Sequence, residues 1–320
     1  MDVKTRQRMD MDLFQSQALQ VVESVKKVIV GKEDLIRDLL IAMLAEGNVL
    51  LEGVPGVAKT SIAKAFASSV GLEFKRIQFV PDILPGDIVG MSIFNQRTGA
   101  FEVRKGPVFT NILLVDEINR ASPKVQSALL EAMEEKQASI DGTTFPLPSP
   151  FMVITTQNPI DVAGTFPLPE AQIDRFMFKL DVGYLSPEDE LQMLRIRNES
   201  LKPPEPKVLA REDILRLIEM TRQVTTDDSV LQYIRDLIVA SRTHEKLLLG
   251  GSPRASLALM RASKALAAID GRDYVILDDV KYLVPRVLAH RLIVKPELEL
   301  ENTTPADVIT DLLNVVKVPV

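Results

Sequence analysis

Gly53–Thr60 reads Gly-Val-Pro-Gly-Val-Ala-Lys-Thr and decides the fold of this chain of 320 residues. An apolar strand candidate, Val49–Glu52, precedes it, and a helix candidate, Ser61–Phe66, follows it. A strand, a glycine-rich turn and Lys-Thr at a helix start are typical of a P-loop, whose backbone N–H groups surround a phosphate anion. The same residues also suit a turn followed by a surface lysine, so the choice depends on the segments downstream.

Each part of this loop predicts a contact with a nucleotide. Lys59 is expected to reach the β- and γ-phosphates, and the Thr60 hydroxyl is expected to bind Mg²⁺. Ala58 stands where the last glycine of such loops usually lies, and an alanine is expected to fit there only with a negative φ. The residues predicted to bind the nucleotide are Gly53, Val54, Pro55, Gly56, Val57, Ala58, Lys59, Thr60 and Ser61.

Composition excludes several kinds of site. The sequence has no cysteine, which rules out disulfides, thiolate catalysis and cysteine–metal sites. Its two histidines, His244 and His290, are predicted to be packing or surface residues and not metal ligands. The net charge of −6 gives no overall attraction to nucleic acid, although a local basic groove stays open.

The apolar segments also bear on location. Met1–Phe14 is charged and lacks the apolar run of a secretory signal. Leu39–Ala45 is too short to span a bilayer, which needs about 20 residues. We therefore expect no membrane insertion and a cytoplasmic location.

Apolar periodicity predicts alternating helices and strands in the first part of the chain. Two helices are expected within Met11–Ala45, and strands at Val49–Glu52, Phe74–Val80, Ile112–Val115, Phe151–Thr155 and Phe176–Leu180. Two hairpins are also predicted: Asp87–Gly106, with strands Ile88–Phe94 and Ala100–Val103, and Gln137–Leu147, with Asp141-Gly142 at its tip. Strands that alternate with helices after a P-loop predict a mostly parallel sheet with right-handed crossovers.

The pattern changes near residue 185. Beyond Pro187 it is only helical, in the segments Glu188–Asn198, Arg211–Val224, Val230–Thr243, Arg254–Ile269, Leu277–His290 and Pro305–Val316. A proline-rich linker at 202–206 separates the first two of these helices. We therefore place an α/β core in residues 1–185 and an all-helical domain in residues 186–320.

Two carboxylates follow the apolar strand Ile112–Val115. Asp116 suits the Mg²⁺ shell through water, and Glu117 suits orienting and deprotonating the water that attacks the γ-phosphate. Alone, the two acids could equally cap a strand end. The P-loop earlier in the chain, with another strand between, favours the catalytic interpretation.

Asn158 and Arg175 follow at the next strand end and before the fifth strand. An amide at Asn158 can hold the attacking water or the γ-phosphate, or it can start a turn before Pro159. Arg175 presents a fixed cationic fork that can reach the γ-phosphate of a neighbouring subunit, or it can pair with Asp174.

Arg254 lies in the first turn of a helix in the second domain. Ser252 is the predicted N-cap of that helix, and Pro253 its first residue. From there Arg254 could lean over the nucleotide, or it could simply be solvated.

These motifs, in this order, resemble those of the MoxR family of AAA+ ATPases. The resemblance runs from about Val30 to beyond Arg254 and rests on five stretches of sequence: Gly-x-Pro-Gly-x-Ala-Lys-Thr, Leu-Leu-Val-Asp-Glu-Ile-Asn-Arg-Ala, Thr-Gln-Asn-Pro, Phe-Pro-Leu-Pro-Glu-Ala-Gln-Ile-Asp-Arg-Phe and Ser-Pro-Arg-Ala. It implies that Asp116 and Glu117 form Walker B, that Asn158 is sensor 1, Arg175 the arginine finger and Arg254 sensor 2. Val30 and Gly31 fall where such proteins contact adenine, and Ala58 resembles a Walker A variant common in the family.

The resemblance also implies properties of the whole protein. These are a five-stranded sheet in the order 5-1-4-3-2, β-hairpin inserts, a helical lid, and ATP and Mg²⁺ as cofactors. It further implies a homo-oligomeric ring, usually a hexamer, with each ATP site shared between subunits. The implied role is chaperone-like, in maturing a client protein or loading its metal or cofactor, often with a von Willebrand factor A domain partner.

Three other functions stay open at this stage. One is a magnesium-chelatase-like motor subunit, and another a nucleic-acid translocase related to MCM helicases. For the translocase, Arg97, Arg104 and Lys105 of the first hairpin face Glu102 and Asp87, a charge balance too weak to track phosphates. Nucleic acid is therefore not the expected partner. The third is a scaffold that binds ATP without turnover, against which the presence of Glu117 and Arg175 argues.

Overall fold

The structure is a computed structural model that describes residues 3–159, 164–199 and 208–317. In chain order the first part contains α1 (Val3–Lys26), α2 (Glu33–Leu44), β1 (Val49–Glu52), α3 (Lys59–Ser69), β2 (Phe74–Gln78), α4 (Pro85–Val89), β3 (Gly90–Asn95), β4 (Ala100–Lys105), β5 (Ile112–Asp116), a 3₁₀ turn (Ile118–Arg120), α5 (Pro123–Glu135), β6 (Gln137–Ile140), β7 (Thr143–Pro146), β8 (Met152–Gln157), α6 (Glu170–Ile173) and β9 (Phe178–Asp181). The predicted linker at 202–206 lies outside the described residues.

A parallel sheet of five strands forms the centre of this part, in the order β2-β5-β8-β1-β9. Counting only these five strands along the chain, the order is the predicted 5-1-4-3-2, which is confirmed. The carboxyl ends of β1, β5 and β8 therefore meet at one edge of the sheet, where the P-loop and the two carboxylates follow their strands. The amino end of β9 lies at the opposite edge.

Helices cover both faces of the sheet, as its continuous apolar strands require. All five residues of β5 are buried. Ile112 and Leu114 pack into the cluster formed with α1, α2 and α3, whereas Leu113 and Val115 pack into the cluster formed with α5. The two-residue period of a strand thus divides one apolar run between two cores.

The first hairpin begins later than predicted. Ile88 belongs to α4 and is buried, so the predicted strand Ile88–Phe94 was wrong in its first two residues. Pro85 starts this short helix, and the Asp87 carboxylate accepts from the N–H of Leu84 at 2.8 Å. Gly90 then turns the chain into β3 with φ +106°, where a Cβ atom would overlap the backbone of Arg104 and Gly106.

The second hairpin pairs β6 with β7 as predicted. Asp141 and Gly142 form its tip with φ values of 48° and 79°, as a type I′ turn requires.

The second part contains α7 (Pro187–Glu199), α8 (Arg211–Gln223), α9 (Asp228–Thr243), β10 (Leu247–Leu249), α10 (Pro253–Ile269), α11 (Leu277–Leu288), β11 (Ile293–Val294), α12 (Pro296–Glu299) and α13 (Pro305–Val315). The prediction of helices alone was wrong here, because β10 pairs antiparallel with β11. These strands have three and two residues, too few for a periodic pattern.

This helical part packs against the N-terminal helices and against β9, the outermost strand of the sheet on that side. Helix α10 contacts α1 and α2, and α11 contacts β9, so one apolar cluster runs from the sheet through α2 into α8–α13. Across this contact Arg286 Nε lies 2.8 Å from each carboxylate oxygen of Asp38. Among the described residues, no helix combines the length and apolar character needed to cross a membrane.

Candidate nucleotide site

The P-loop joins the end of β1 to the start of α3, and Lys59 is the first residue of that helix. Lys59 Nζ donates to the carbonyl oxygen of Gly53 at 2.5 Å and lies 3.4 Å from that of Gln157. Partial burial lowers the pKa of Lys59. The negative charges of Asp116, Glu117 and Glu52 raise it and offset part of this effect. The ammonium group therefore lies over the ends of β1 and β8, where an anion would be held.

Ala58 differs from the sequence expectation. Its φ is +64° and its ψ 21°, in the left-handed region, so the expected negative φ was wrong. The chain must reverse direction immediately before α3 so that the first N–H groups of the helix point into the loop, and a left-handed residue makes that reversal. Glycine adopts this conformation at no steric cost, which explains why it is usual at this place.

Ala58→Gly is expected to raise the free energy of unfolding by about 0.5–1 kcal/mol. Relief of the left-handed strain, roughly 1–2 kcal/mol, exceeds the extra unfolded-state entropy of glycine, roughly 0.4–1 kcal/mol. Urea unfolding without nucleotide measures the difference. A less stable variant would show that Ala58 is not strained.

Asp116 is buried at the end of β5 and shares its oxygens among three side chains. Oδ2 lies 3.3 Å from the Thr60 hydroxyl and 2.6 Å from Arg76 Nε, and Oδ1 accepts from the Thr156 hydroxyl at 3.1 Å. The sequence pattern does not indicate Arg76 and Thr156 as site residues. Thr156 lies two residues before Asn158 at the end of β8, and the expected pairing of β8 with β5 could have placed it near Asp116. Arg76 is brought to Asp116 by the pairing of β2 with β5, which no local pattern indicates.

Glu117 has a left-handed backbone, with φ 58° and ψ 55°. Its N–H donates to the Thr156 hydroxyl at 3.0 Å, and its Oε2 lies 3.0 Å from Arg120 Nε. Such a conformation costs roughly 1–3 kcal/mol in a residue other than glycine, and residues of this kind cluster at functional sites. Asn158 is buried just beyond β8, the strand between β1 and β5.

The donors at this edge fit Mg²⁺. The Thr60 hydroxyl and the Asp116 carboxylate lie 3.3 Å apart, so both could face one ion, the hydroxyl as a ligand and the carboxylate through water. Within the described residues no group of three or more histidine, aspartate or glutamate side chains could hold a metal alone. Mg²⁺ takes few carboxylates and completes its shell with water and phosphate oxygens, so two protein oxygens suffice.

A cavity of about 320 Å³ lies beside the P-loop. Val30, one of the two residues expected to contact adenine, lines it together with Val57, Ile62, Tyr184 and Met193. The sequence pattern does not indicate Tyr184 and Met193, because the turn after β9 and the helix α7 lie beside the P-loop only in the folded chain. The mostly apolar lining suits a nucleotide base.

Lys32 also lines this cavity, whereas Gly31, the other residue expected to contact adenine, does not. Gly31 has φ +68°, and a Cβ atom there would overlap the Asp189 carboxylate of α7. Lys32 Nζ donates to the carbonyl oxygens of Gly183 at 2.8 Å and Tyr184 at 3.1 Å, which joins the segment after α1 to the turn after β9.

Arg175 and Arg254 form a second group, away from the P-loop of their own chain. Arg175 Nη1 lies 3.0 Å from Glu134 Oε2, and Arg254 pairs with Glu134 and, at 3.4 Å, with Asp174. Arg175 precedes β9, which is parallel to β1, so this group lies at the edge of the sheet opposite the P-loop. Arg254 therefore does not lean over the nucleotide site of its own chain.

Ser252 also differs from its predicted role. It occupies the N-cap position of α10, but its hydroxyl makes no cap hydrogen bond and donates to Asp174 at 3.0 Å. The start of α10 is thereby fastened to the residue that precedes Arg175.

Comparison with known proteins agrees with this arrangement. Residues 48–178 match the ATPase family associated with various cellular activities (AAA), and residues 239–312 match the AAA lid domain. The chain is 49% identical to the YeaC protein of Bacillus subtilis over 93% of this chain and 94% of that one. It is 46% identical to Chaperone MoxR1 of Mycobacterium tuberculosis over 92% of this chain and 80% of that one.

A crystal structure of a protein from Cytophaga hutchinsonii, 40% identical in sequence, matches the fold over the full length of both chains with a TM-score of 0.92. The ordered motifs, the parallel sheet with its helical lid and these relatives agree. The chain belongs to the MoxR family of AAA+ ATPases.

Proposed function

We propose that this chain is a Mg²⁺-dependent ATPase that works as a homo-oligomeric ring, with each ATP site shared between two subunits. The observation that supports it is the division of the site residues between opposite edges of the sheet. Lys59, Asp116 and Glu117 lie at one edge, and Arg175 and Arg254 at the other. A head-to-tail contact between copies brings such edges together and closes into a ring, for which a hexamer is the family's usual size.

In this proposal each residue at the P-loop edge has one role. The backbone of Gly53–Ser61 binds the phosphates, Lys59 pairs with the β- and γ-phosphates, and Val30 and Gly31 contact the adenine. Thr60 and Asp116 hold Mg²⁺, which neutralises charge on the β- and γ-phosphates when bound. Glu117 takes the proton of the attacking water, and Asn158 orients that water.

Arg175 and Arg254 complete the neighbour's site. In the single chain both pair with Glu134, which is partly exposed. A γ-phosphate carries more charge and more acceptor oxygens than one carboxylate, so the arginines can exchange Glu134 for it when the subunits meet. Their charge then stabilises the charge that develops on the transferring phosphoryl group.

Remodelling of a protein client is part of the proposal. Its support is the β3–β4 hairpin, on which the Phe101 ring is 73% exposed and packs edge to face against Phe94. An exposed apolar surface of this kind suits a protein better than nucleic acid, which needs a cationic one. A relative named as a chaperone agrees with this choice over a magnesium-chelatase-like motor or an MCM-like translocase. The von Willebrand factor A domain partner, the insertion of a metal or cofactor and the cytoplasmic location extend the proposal by family resemblance alone.

The dependence of the rate on protein concentration tests the shared site. ATP hydrolysis per subunit should rise with concentration and level off once rings have formed, because a lone subunit lacks the arginines. ATP binding per subunit, measured with a fluorescent analogue, should change much less. A constant rate per subunit from a dilution where light scattering shows monomers would contradict a shared site.

Phe101→Ser tests the role of the hairpin. The variant should hydrolyse ATP at the basal rate but lose stimulation by a client, since the side chain is exposed and its hairpin is separate from the five-stranded sheet that carries the P-loop. Arg97→Ser at the same hairpin tip is the matched control and should keep the stimulation. If Phe101→Ser in a Glu117→Gln background retains the same bound proteins in ATP as Glu117→Gln alone, the hairpin is not the client site.

A further inference from the structure

Arg291 lies just after α11 and contacts the segment that carries Arg175. Its side chain is almost completely buried, with 2% of its surface exposed. Arginine is rarely buried to this extent unless every donor is satisfied. Its five N–H groups meet five acceptors. Nε donates to Asp174 Oδ1 at 2.7 Å, Nη2 to the carbonyls of Asp174 and Phe176 at 2.8 and 2.6 Å, and Nη1 to those of Met177 and Val287 at 3.2 and 2.5 Å.

Four of these acceptors belong to the short segment 174–177, which carries Arg175. This segment joins the end of α6 to the start of β9 and belongs to neither element. The N–H groups of Arg175, Phe176 and Met177 donate to Gln172, Ile173 and Asn48. Arg291 therefore binds the carbonyl side of the segment, on both sides of Arg175.

Asp174 is held from a second element of the lid. The Ser252 hydroxyl at the start of α10 donates to both carboxylate oxygens at 3.0 Å, and Arg254 lies 3.4 Å from Oδ2. Side chains from the start of α10 and from the segment just after α11 therefore both bind Asp174, the residue that immediately precedes Arg175. A shift of the lid would move this segment with it.

We propose that Arg291 is the positioning residue of Arg175, and that through it the lid of one subunit controls hydrolysis in the next. The inference rests on the proposed role of Arg175 in the neighbour's site. A reacting group displaced by about 1 Å can lose roughly 10²-fold in rate, so a flexible connection would not hold Arg175 well enough. The planar guanidinium of Arg291 fixes several backbone oxygens at once, which the ammonium group of lysine cannot do.

Arg291→Lys tests this assignment because it keeps a positive charge beside Asp174 and removes the planar fork. We expect ring formation and the KM for ATP to stay near those of the unaltered chain, and kcat to fall about 10²-fold. Arg286→Lys is the matched control. Arg286 lies in the last turn of α11, five residues before Arg291, and pairs with the buried Asp38, but it makes no hydrogen bond to segment 174–177. This control should lose stability and keep kcat.

Mixing experiments separate a positioning role from a merely structural one. Rings of Arg291→Lys and Lys59→Ala subunits should recover activity, because the Lys59→Ala subunit supplies a correctly held Arg175 to an intact P-loop. The reference mixture is Arg175→Ala with Lys59→Ala. If the reference recovers and the Arg291→Lys mixture does not, Arg291 acts within its own chain and the assignment is wrong. If the reference itself fails in rings shown to be mixed, the shared site is wrong and this assignment with it.

Ser252→Ala serves if Arg291→Lys does not fold. It removes the hydrogen bonds from the Ser252 hydroxyl to Asp174. It does not remove a helix cap, since this hydroxyl makes no cap hydrogen bond. We expect a several-fold lower kcat that the same mixing restores. An unchanged kcat in a folded Arg291→Lys or, failing that, in Ser252→Ala would overturn the proposal.

Discussion

Arg175→Ala is expected to bind ATP nearly as well as the unaltered chain and to hydrolyse it about 10³–10⁵-fold more slowly. That loss corresponds to roughly 4–7 kcal/mol of transition-state stabilisation, the contribution typical of an arginine supplied by a neighbour. Binding survives because Arg175 lies at the edge of the sheet opposite the P-loop of its own chain. Phosphate release at saturating ATP measures the rate, and a fluorescent ATP analogue measures the affinity.

The control for this variant is Arg235→Ala. Arg235 is exposed on α9 and pairs only with its neighbour Asp236 among the ion pairs of the described chain, so its removal should leave turnover unchanged. A rate within a few-fold of normal for Arg175→Ala would show that Arg175 is a structural partner of Glu134 and not an arginine finger.

Glu117→Gln and Lys59→Ala should separate turnover from binding. Glu117→Gln removes only the group that accepts the water's proton, so we expect intact ATP binding and a rate lower by about 10²–10⁴-fold. Lys59→Ala removes the cation above the ends of β1 and β8, so ATP binding itself should be lost. Measuring both affinity and single-turnover rate for each variant decides the matter. Equal loss of affinity in the two variants would contradict the assigned roles.

Sequence patterns were sufficient for the central strands and the residues that follow them. Each of β1, β5 and β8 is a continuous apolar run that ends at a polar motif, and parallel pairing then brings Lys59, Asp116 and Asn158 to one edge. The apolar pattern was misleading about the start of the first hairpin, which is set by the helix before it. The first hairpin starts at Gly90 because the preceding residues form the short helix α4, which begins at Pro85 and whose start is capped by the Asp87 side chain.

Other features depend on contacts that no local pattern encodes. Ala58 is left-handed because the loop must reverse before α3, a requirement that outweighs the preference of alanine for negative φ. Arg76 reaches Asp116 only through the pairing of β2 with β5. The place of Arg254 depends on how the lid packs against α2 and β9, and this packing turns the start of α10 toward Asp174.

The central claim is that each ATP site uses residues of two subunits, and mixed rings test it most directly. Arg175→Ala and Lys59→Ala should each be inactive alone, for lack of the arginine finger and of the nucleotide respectively. After subunit exchange, confirmed by native mass measurement, some junctions pair an intact Arg175 with an intact Lys59, and part of the activity should return. Rings shown to contain both variants that remain inactive would contradict the account.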